Sequence, residues 1–206
     1  MSMSISYEET GRTEQKARTR AALVEAARDL VERGTTPTVE EAAEAASVSR
    51  ATAYRYFPNR QLLLVAAHPE VEVESLVGPE PTDDPAERLD QAVLGLSEIL
   101  LRSERSYREM LRLSLDDRED SGELTLRKGR RYLWIEEALE PVRGRLTPEE
   151  FRRLVHGISF GVWVEALVTL VDLAGLTRER AVEVMRWSAQ ALLRTALEEA
   201  NARELG

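Results

Sequence analysis

No stretch of the chain alternates apolar and polar residues between turn signals, as a half-buried strand requires. Apolar positions recur at helical spacing instead, as Leu23, Ala27 and Leu30 do, and the segment from Leu154 to Ala174 is apolar on most of its sides. Start and stop residues divide this pattern into about nine helices. Thr38 with Glu41, and Thr147-Pro148-Glu149-Glu150, each read as a capping box. In that device the hydroxyl accepts an orphan amide and the carboxylate reaches back to the N–H of the cap. Asp84-Pro85-Ala86-Glu87 is the aspartate version, with proline where its missing N–H costs nothing. Thr13 and Thr177 are simpler caps, and Gly34 is a stop. The expected elements are a first helix over about Glu14–Arg33, two short helices, and a fourth from Pro58 onward. Bundle helices follow near Pro85–Ser103, Glu104–Leu115, Leu124–Leu146, Pro148–Ala174 and Arg178–Arg203. Gly78 to Asp84, with Pro79 and Pro81, reads as a loop between two parts. The fold class is all-α.

Composition narrows the chemistry. With 43% hydrophobic residues in 206, the chain can bury a real core and is not disordered. It has no cysteine, hence no disulfide, thiolate metal site or cysteine nucleophile. His68 and His156 stand in neither an H-x-x-x-H nor an E-x-x-H spacing, so no metal and no cofactor is expected. No basic, apolar signal segment is evident, which makes the cytoplasm the expected compartment. A net charge of −9 argues at first against a nucleic-acid partner, but its distribution reverses that. Residues 1–60 carry nine basic and nine acidic groups, and the rest of the chain carries the whole excess of acid. Ala45 to Arg60 holds Arg50, Arg55 and Arg60 and no acid, and Arg12 to Arg20 sets four basic groups against Glu14. A locally basic head on an acidic body is the footprint of a nucleic-acid binder.

The stretch from Thr38 to Phe57 has the shape of a helix-turn-helix. A capped helix of about two turns leads to a tight turn at Ala46–Val48, and a second cap, Ser49, opens another short helix. Ala42, Ala43 and Ala46 allow close approach, while Val48 and Phe57 supply the apolar seam. The second helix displays Arg50, Thr52, Tyr54, Arg55 and Tyr56. Arginine grips guanine bidentately in the major groove, and hydroxyls suit phosphate oxygens. Arg60, following Pro58-Asn59, is placed to clamp a phosphate beside backbone amides.

Over residues 14–64 the chain resembles the TetR family of transcriptional repressors, in the order long helix, T-V-x-x-x-A, A-x-V-S-x-x-T-x-Y-x-Y-F, then a basic residue and L-L. The resemblance implies that Thr38, Ser49, Tyr54, Tyr56 and Arg60 contact phosphates and that Arg50, Ala51, Thr52 and Arg55 face the bases. It implies a DNA-binding domain over 11–68 and an all-helical C-terminal domain over 69–206 that dimerises and binds a small effector. The partners are then double-stranded DNA with a palindromic operator, the effector and a second copy of the chain, with no membrane. Two departures stand out. Ser47 occupies a turn position where the family has glycine, and a side chain forced to positive φ there costs about 1–2 kcal/mol. Ala42 and Ala53 replace larger aliphatics, which Leu23, Ala27 and Leu30 must offset.

Other signals have bland readings that compete with sharper ones. Gly157-Ile-Ser159-Phe-Gly161 spells the hydrolase G-x-S-x-G beside His156. That elbow needs a strand before its helix, so a steric role for two glycines four apart is preferred. Leu154 to Ala174 is interrupted by Glu165 and reads as a buried helix rather than a membrane span. Arg127-Lys128-Gly129-Arg130-Arg131 reads as a solvated face before an anion site. Tyr107, Met110, Trp134, Trp163 and Trp187 are candidates to line an effector cavity, with plain core as the competing reading for each. Glu165 needs a partner such as a cationic ligand or Arg131. Val162, Leu167 and Val171, with Val184, Trp187, Ala191 and Leu192, offer a dimer surface on the last two helices. Proline at 69 either stops the fourth helix or hinges it. No enzymatic role is expected. The rival of another class is an α-helical enzyme or small-molecule carrier using the C-terminal cavity.

Overall fold

The computed structural model describes residues 4–67, 73–79, 82–116 and 130–205, and the side chains within them apart from residues 4–12, 116 and 204–205. Pro69, Arg127, Lys128 and Gly129 lie outside the described residues, as does the expected domain boundary at 68/69. Among the described residues every regular element is a helix: α1 Ser4–Glu32, α2 Val39–Ala45, α3 Arg50–Tyr56, α4 Arg60–Ala67, α5 Pro85–Arg102, α6 Glu104–Asp116, α7 Arg130–Ala138, α8 Pro148–Gly161, α9 Val164–Val168 and α10 Arg178–Leu205. A 3-10 segment, Glu140–Arg145, follows α7, and a π-helical turn, Thr169–Leu173, extends α9.

The chain forms two compact units, Met1–Glu72 with Arg108–Asp116, and Val73–Tyr107 with Asp117–Gly206. The first is built on α1, against which α2 and α4 pack, with α3 held on α2. Its core is Leu23, Ala27, Val39, Ala42, Ala43, Ala53, Phe57, Leu63 and Ala67, with Val48 partly buried beside them. Leu23 and Ala27 therefore offset the small residues at 42 and 53, whereas Leu30 stays outside this cluster.

Two helix ends in this unit use one device with different residues. At the end of α1, Gly34 takes φ +77°, its N–H donates to Val31 O and that of Thr35 to Leu30 O. At the end of α2, Ser47 takes φ +55°, its N–H donates to Glu44 O and that of Val48 to Ala43 O. Both are Schellman closures, with Val48 packed beside Ala43 as the motif's apolar contact. Ser47 is the one non-glycine residue at positive φ among the described residues, so the strain expected from the sequence is present.

In the second unit α10 packs on α5, α8 and α9, and α7 lies against α5 and α8. Arg88 is buried beneath the end of α7, donating to Ala138 O at 3.2 Å and Glu137 O at 2.6 Å. Arg186 of α10 grips Asp90 of α5 through two 2.7 Å bonds.

Several expected boundaries need correction. The fourth helix starts at Arg60, because Asn59 Oδ1 caps it by accepting from Leu62 N at 2.9 Å. The helix expected to reach Leu146 ends at Ala138, since Pro141 lacks the N–H that would continue it. The helix expected over Pro148–Ala174 breaks after Gly161, where extended backbone at Trp163 turns its ring into the core. That break and the extra turns raise the count above nine. Val162 and Leu167, expected on a dimer surface, are buried within their own unit. A Cβ at Gly157 would lie 3.5 Å from Leu192 Cδ1, but one at Gly161 meets nothing within 4 Å, so only Gly157 borders a neighbouring helix.

Two measurements check these local arguments. Ser47→Gly should stabilise the protein by about 1 kcal/mol in denaturant unfolding, by removing left-handed strain. Glu150 accepts from Thr147 N and pairs with Arg203, which pulls its carboxyl down to about 2. A depressed carboxyl stabilises above its unfolded value of about 4.3 and loses that contribution as pH falls through its folded value. The stability gap between wild type and Glu150→Gln should therefore be full at pH 7 and shrink between about pH 4.3 and 2.

Candidate nucleic-acid interface

The capping boxes set the geometry of the head. Thr38 Oγ1 accepts from Glu41 N at 3.2 Å while Glu41 Oε2 accepts from Thr38 N at 2.7 Å, and this reciprocal bond holds the Glu41 carboxyl below its ordinary range. Ser49 caps α3, accepting from Thr52 N at 3.3 Å and donating its hydroxyl to Thr52 Oγ1 at 2.9 Å. Between these caps, burial of Ala53 and Phe57 leaves the opposite side of α3 free. Arg50, Ala51, Tyr54 and Arg55 are exposed, Thr52 and Tyr56 half-buried. Helical spacing pairs Arg50 with Tyr54 and Ala51 with Arg55 on adjoining stripes. Arg55 also stacks over the Tyr56 ring at 5.7 Å.

Residues 23–67, which hold all of this, match the family model described as bacterial regulatory proteins, tetR family. That match marks residues 23–67 as a tetR-type head and supports a DNA-binding transcriptional regulator of that family. A comparison with curated proteins finds no match.

Within the tetR-family head two candidate residues are committed elsewhere. Arg60 points inward: its Nε donates to Pro37 O at 3.1 Å, its Nη2 to Thr36 O, and its Nη1 to Glu109 Oε1 at 2.8 Å. All three nitrogens are thus used in bracing the entry to α2 and the second half of α6. The Thr38 hydroxyl is likewise engaged with Glu41 on both its donor and acceptor sides. Sequence reasoning also missed a residue. Glu40, in the first turn of α2, accepts from the Tyr54 hydroxyl at 2.6 Å and pairs with Arg50 at 3.8 Å. Fourteen residues separate Glu40 from Tyr54, so no periodicity within one helix could have found the pair.

The effector candidates divide between the units. Met110 is buried in the first, and Tyr107, Trp134, Trp163 and Glu165 belong to the second. There Tyr107 and Trp163 meet edge to face at 4.8 Å, and the Arg131 guanidinium lies 5.6 Å from the Trp163 ring centre. Arg131 also pairs with Glu165 at 3.4 Å, which supplies the partner that carboxylate needed. Trp134 Nε1 donates to Glu74 O at 3.3 Å. Arg130 donates to Val73 O, so the described part of the basic cluster serves internal bonds. Gly157–Gly161 lies within α8, with Ser159 buried and His156 exposed against Tyr132, so the pentad does not form a strand-to-helix elbow. Among the described residues no single helix is long and apolar enough to cross a membrane, although α8 and the α9 segment pass together across a 44° bend.

Arg50→Ala and Arg60→Ala should separate the outward from the inward arginine. The first should weaken binding to a selected duplex by about 1–3 kcal/mol and relax preference at one base pair per half-site. The second should lower head stability by about 1–3 kcal/mol, because three acceptors lose a charged donor, and leave the salt slope of DNA binding unchanged. Melting curves and salt-dependent anisotropy titrations read both.

Proposed function

We propose that the protein represses transcription as a homodimer on a palindromic operator and is released when a small, mainly apolar effector binds its C-terminal domain. Residues 11–68 hold the DNA and residues 69–206 hold the effector and the partner copy. The observation that carries the reading is the outward face of α3 within the family-matched head, basic and without an acid of its own. Arg50, Ala51, Thr52 and Arg55 read bases in the major groove, Ser49, Tyr54 and Tyr56 line the phosphates, and Thr38 fixes the start of α2 through its cap with Glu41. Arg60 serves that face from behind, by bracing Thr36 and Pro37.

Support for the dimer comes from apolar side chains that the second unit leaves uncovered. Trp187 is 68% exposed, Phe160 78% and Leu173 80%, with Val184 and Leu192 also exposed nearby in sequence on α10. Large apolar groups left in water are unusual on a soluble monomer and mark an interface. An isologous pairing of that face gives two-fold symmetry, which a palindrome mirrors. The effector reading draws on the Tyr107–Trp163 edge contact with Arg131 and Glu165 beside it. Trp134, buried in the same unit, extends the aromatic set.

Retention on immobilised duplex DNA over a salt series tests the DNA reading. Binding by counterion release falls linearly in log affinity with log salt. Retention that salt does not alter, or none at all, contradicts it. Sedimentation at micromolar concentration tests the dimer: the wild type should run as a dimer and Trp187→Glu as a monomer, whereas a wild-type monomer removes the palindrome argument.

A further inference from the structure

The DNA-facing helix is not idle in the free protein. Its Tyr54 hydroxyl has one proton, and that proton is already given to Glu40 Oε1 at 2.6 Å. The same carboxylate oxygen lies 3.8 Å from Arg50 Nη2. A carboxylate that accepts from the Tyr54 hydroxyl stands where a DNA phosphate would accept it, and it offsets the charge of Arg50 nearby. The two acceptors exclude each other, since Tyr54 cannot donate its one proton to both.

We propose that Glu40 is a built-in phosphate mimic, occupying Tyr54 and Arg50 in the DNA-free head and displaced when the backbone of the duplex takes its place. The inference rests on the DNA-binding reading above and adds a residue that sets affinity without touching DNA. Glu40 stands in the first turn of α2, where the helix dipole favours an acid. Its neighbour Glu41 is turned to the cap, so the two adjacent acids have separate duties. The phenol bond also draws the Glu40 carboxyl below its usual range and pushes the Tyr54 hydroxyl above its own, so Glu40 stays charged at neutral pH. The consequence is a head that binds any DNA less tightly than its arginines and tyrosines alone would allow. A regulator that has to let go benefits from that ceiling.

The test is fluorescence anisotropy over a salt series, with a duplex that the wild type selects from a random pool and a scrambled duplex of equal length. Wild type, Glu40→Gln, Tyr54→Phe, their double variant and Glu44→Gln are compared. Glu40→Gln keeps an acceptor but loses the charge, and should tighten binding to both duplexes by about threefold to tenfold. Its salt slope should steepen by about one, because the charge of Arg50 at the DNA surface is no longer offset by a carboxylate. In the Tyr54→Phe background the gain should shrink to less than half on a logarithmic scale. Glu44→Gln, which removes the same charge from an exposed site on the same helix, should gain less than Glu40→Gln. Glu40→Asp, which retains the charge but falls short of Tyr54, gives a second reading should Glu40→Gln melt too low. It should also bind more tightly than wild type. Unchanged or weaker binding by both Glu40 variants overturns the proposal. So does a gain that Glu44→Gln equals or that persists in full without the Tyr54 hydroxyl. A wild type that holds neither duplex overturns the DNA-binding reading itself, a result distinct from failure of the Glu40 variants alone.

Discussion

Helix α3 has seven residues, and a helix that short has no stability of its own in water. Everything asked of it depends on the burial of Ala53 and Phe57 against Leu23, Ala27, Val39 and Leu63. Burying one apolar side chain contributes about 1.5–3 kcal/mol, which is enough to hold a helix that local bonding cannot. The cost is that α3 can be aimed only as well as α1, α2 and α4 are packed. That explains the three alanines at 42, 43 and 53: each is fully or almost fully buried and brings two backbones close. It also explains why a strained serine is tolerated at 47. The Schellman bonds at Glu44 and Ala43 set the angle at which α3 leaves α2.

The electrostatics follow from the same constraint. The outward face of α3 is basic, and three acids of the same unit are assigned local tasks. Glu41 closes the cap of α2, Glu40 accepts a hydrogen bond from the Tyr54 hydroxyl, and Glu109 holds Arg60 from the α6 side. Each of these three carboxylates is thereby engaged with a basic or polar group of the head. In the second unit the same residue types tie helices together, as Arg186 with Asp90 and Arg178 with Glu104 do.

What could be read from the sequence was whatever is decided within three or four residues. The boxes at Thr38 and Thr147, the caps at Ser49 and Asp84 and the stop at Gly34 are settled by local bonding and stand where the pattern placed them, and Ser47 takes the positive φ that the family resemblance implied, whereas Thr13, expected as a cap, lies inside α1. Decisions made across the fold were not legible. The bond from Tyr54 to Glu40 spans 14 residues and the clamp from Arg60 to Glu109 spans 49, so Arg60 looked outward on sequence grounds and turns inward in the fold. The break before α9 is of the same kind. A run apolar on most sides carries no preferred face, and the Trp163 ring turns toward Tyr107 by long-range packing. Val162 and Leu167 were misassigned to a surface for the same reason.

In the proposed mode of action a two-fold pair of α3 helices reads DNA. Repeated selection of bound duplexes from a random pool by the protein puts this to the test. Convergence on an inverted repeat is expected, with half-sites about one helical turn or a multiple of it apart. Guanines should fall where the two copies of Arg50 and Arg55 reach, and Arg50→Ala should broaden the corresponding positions in both halves. A pool that stays random, or one that converges on a single site without symmetry, would contradict it.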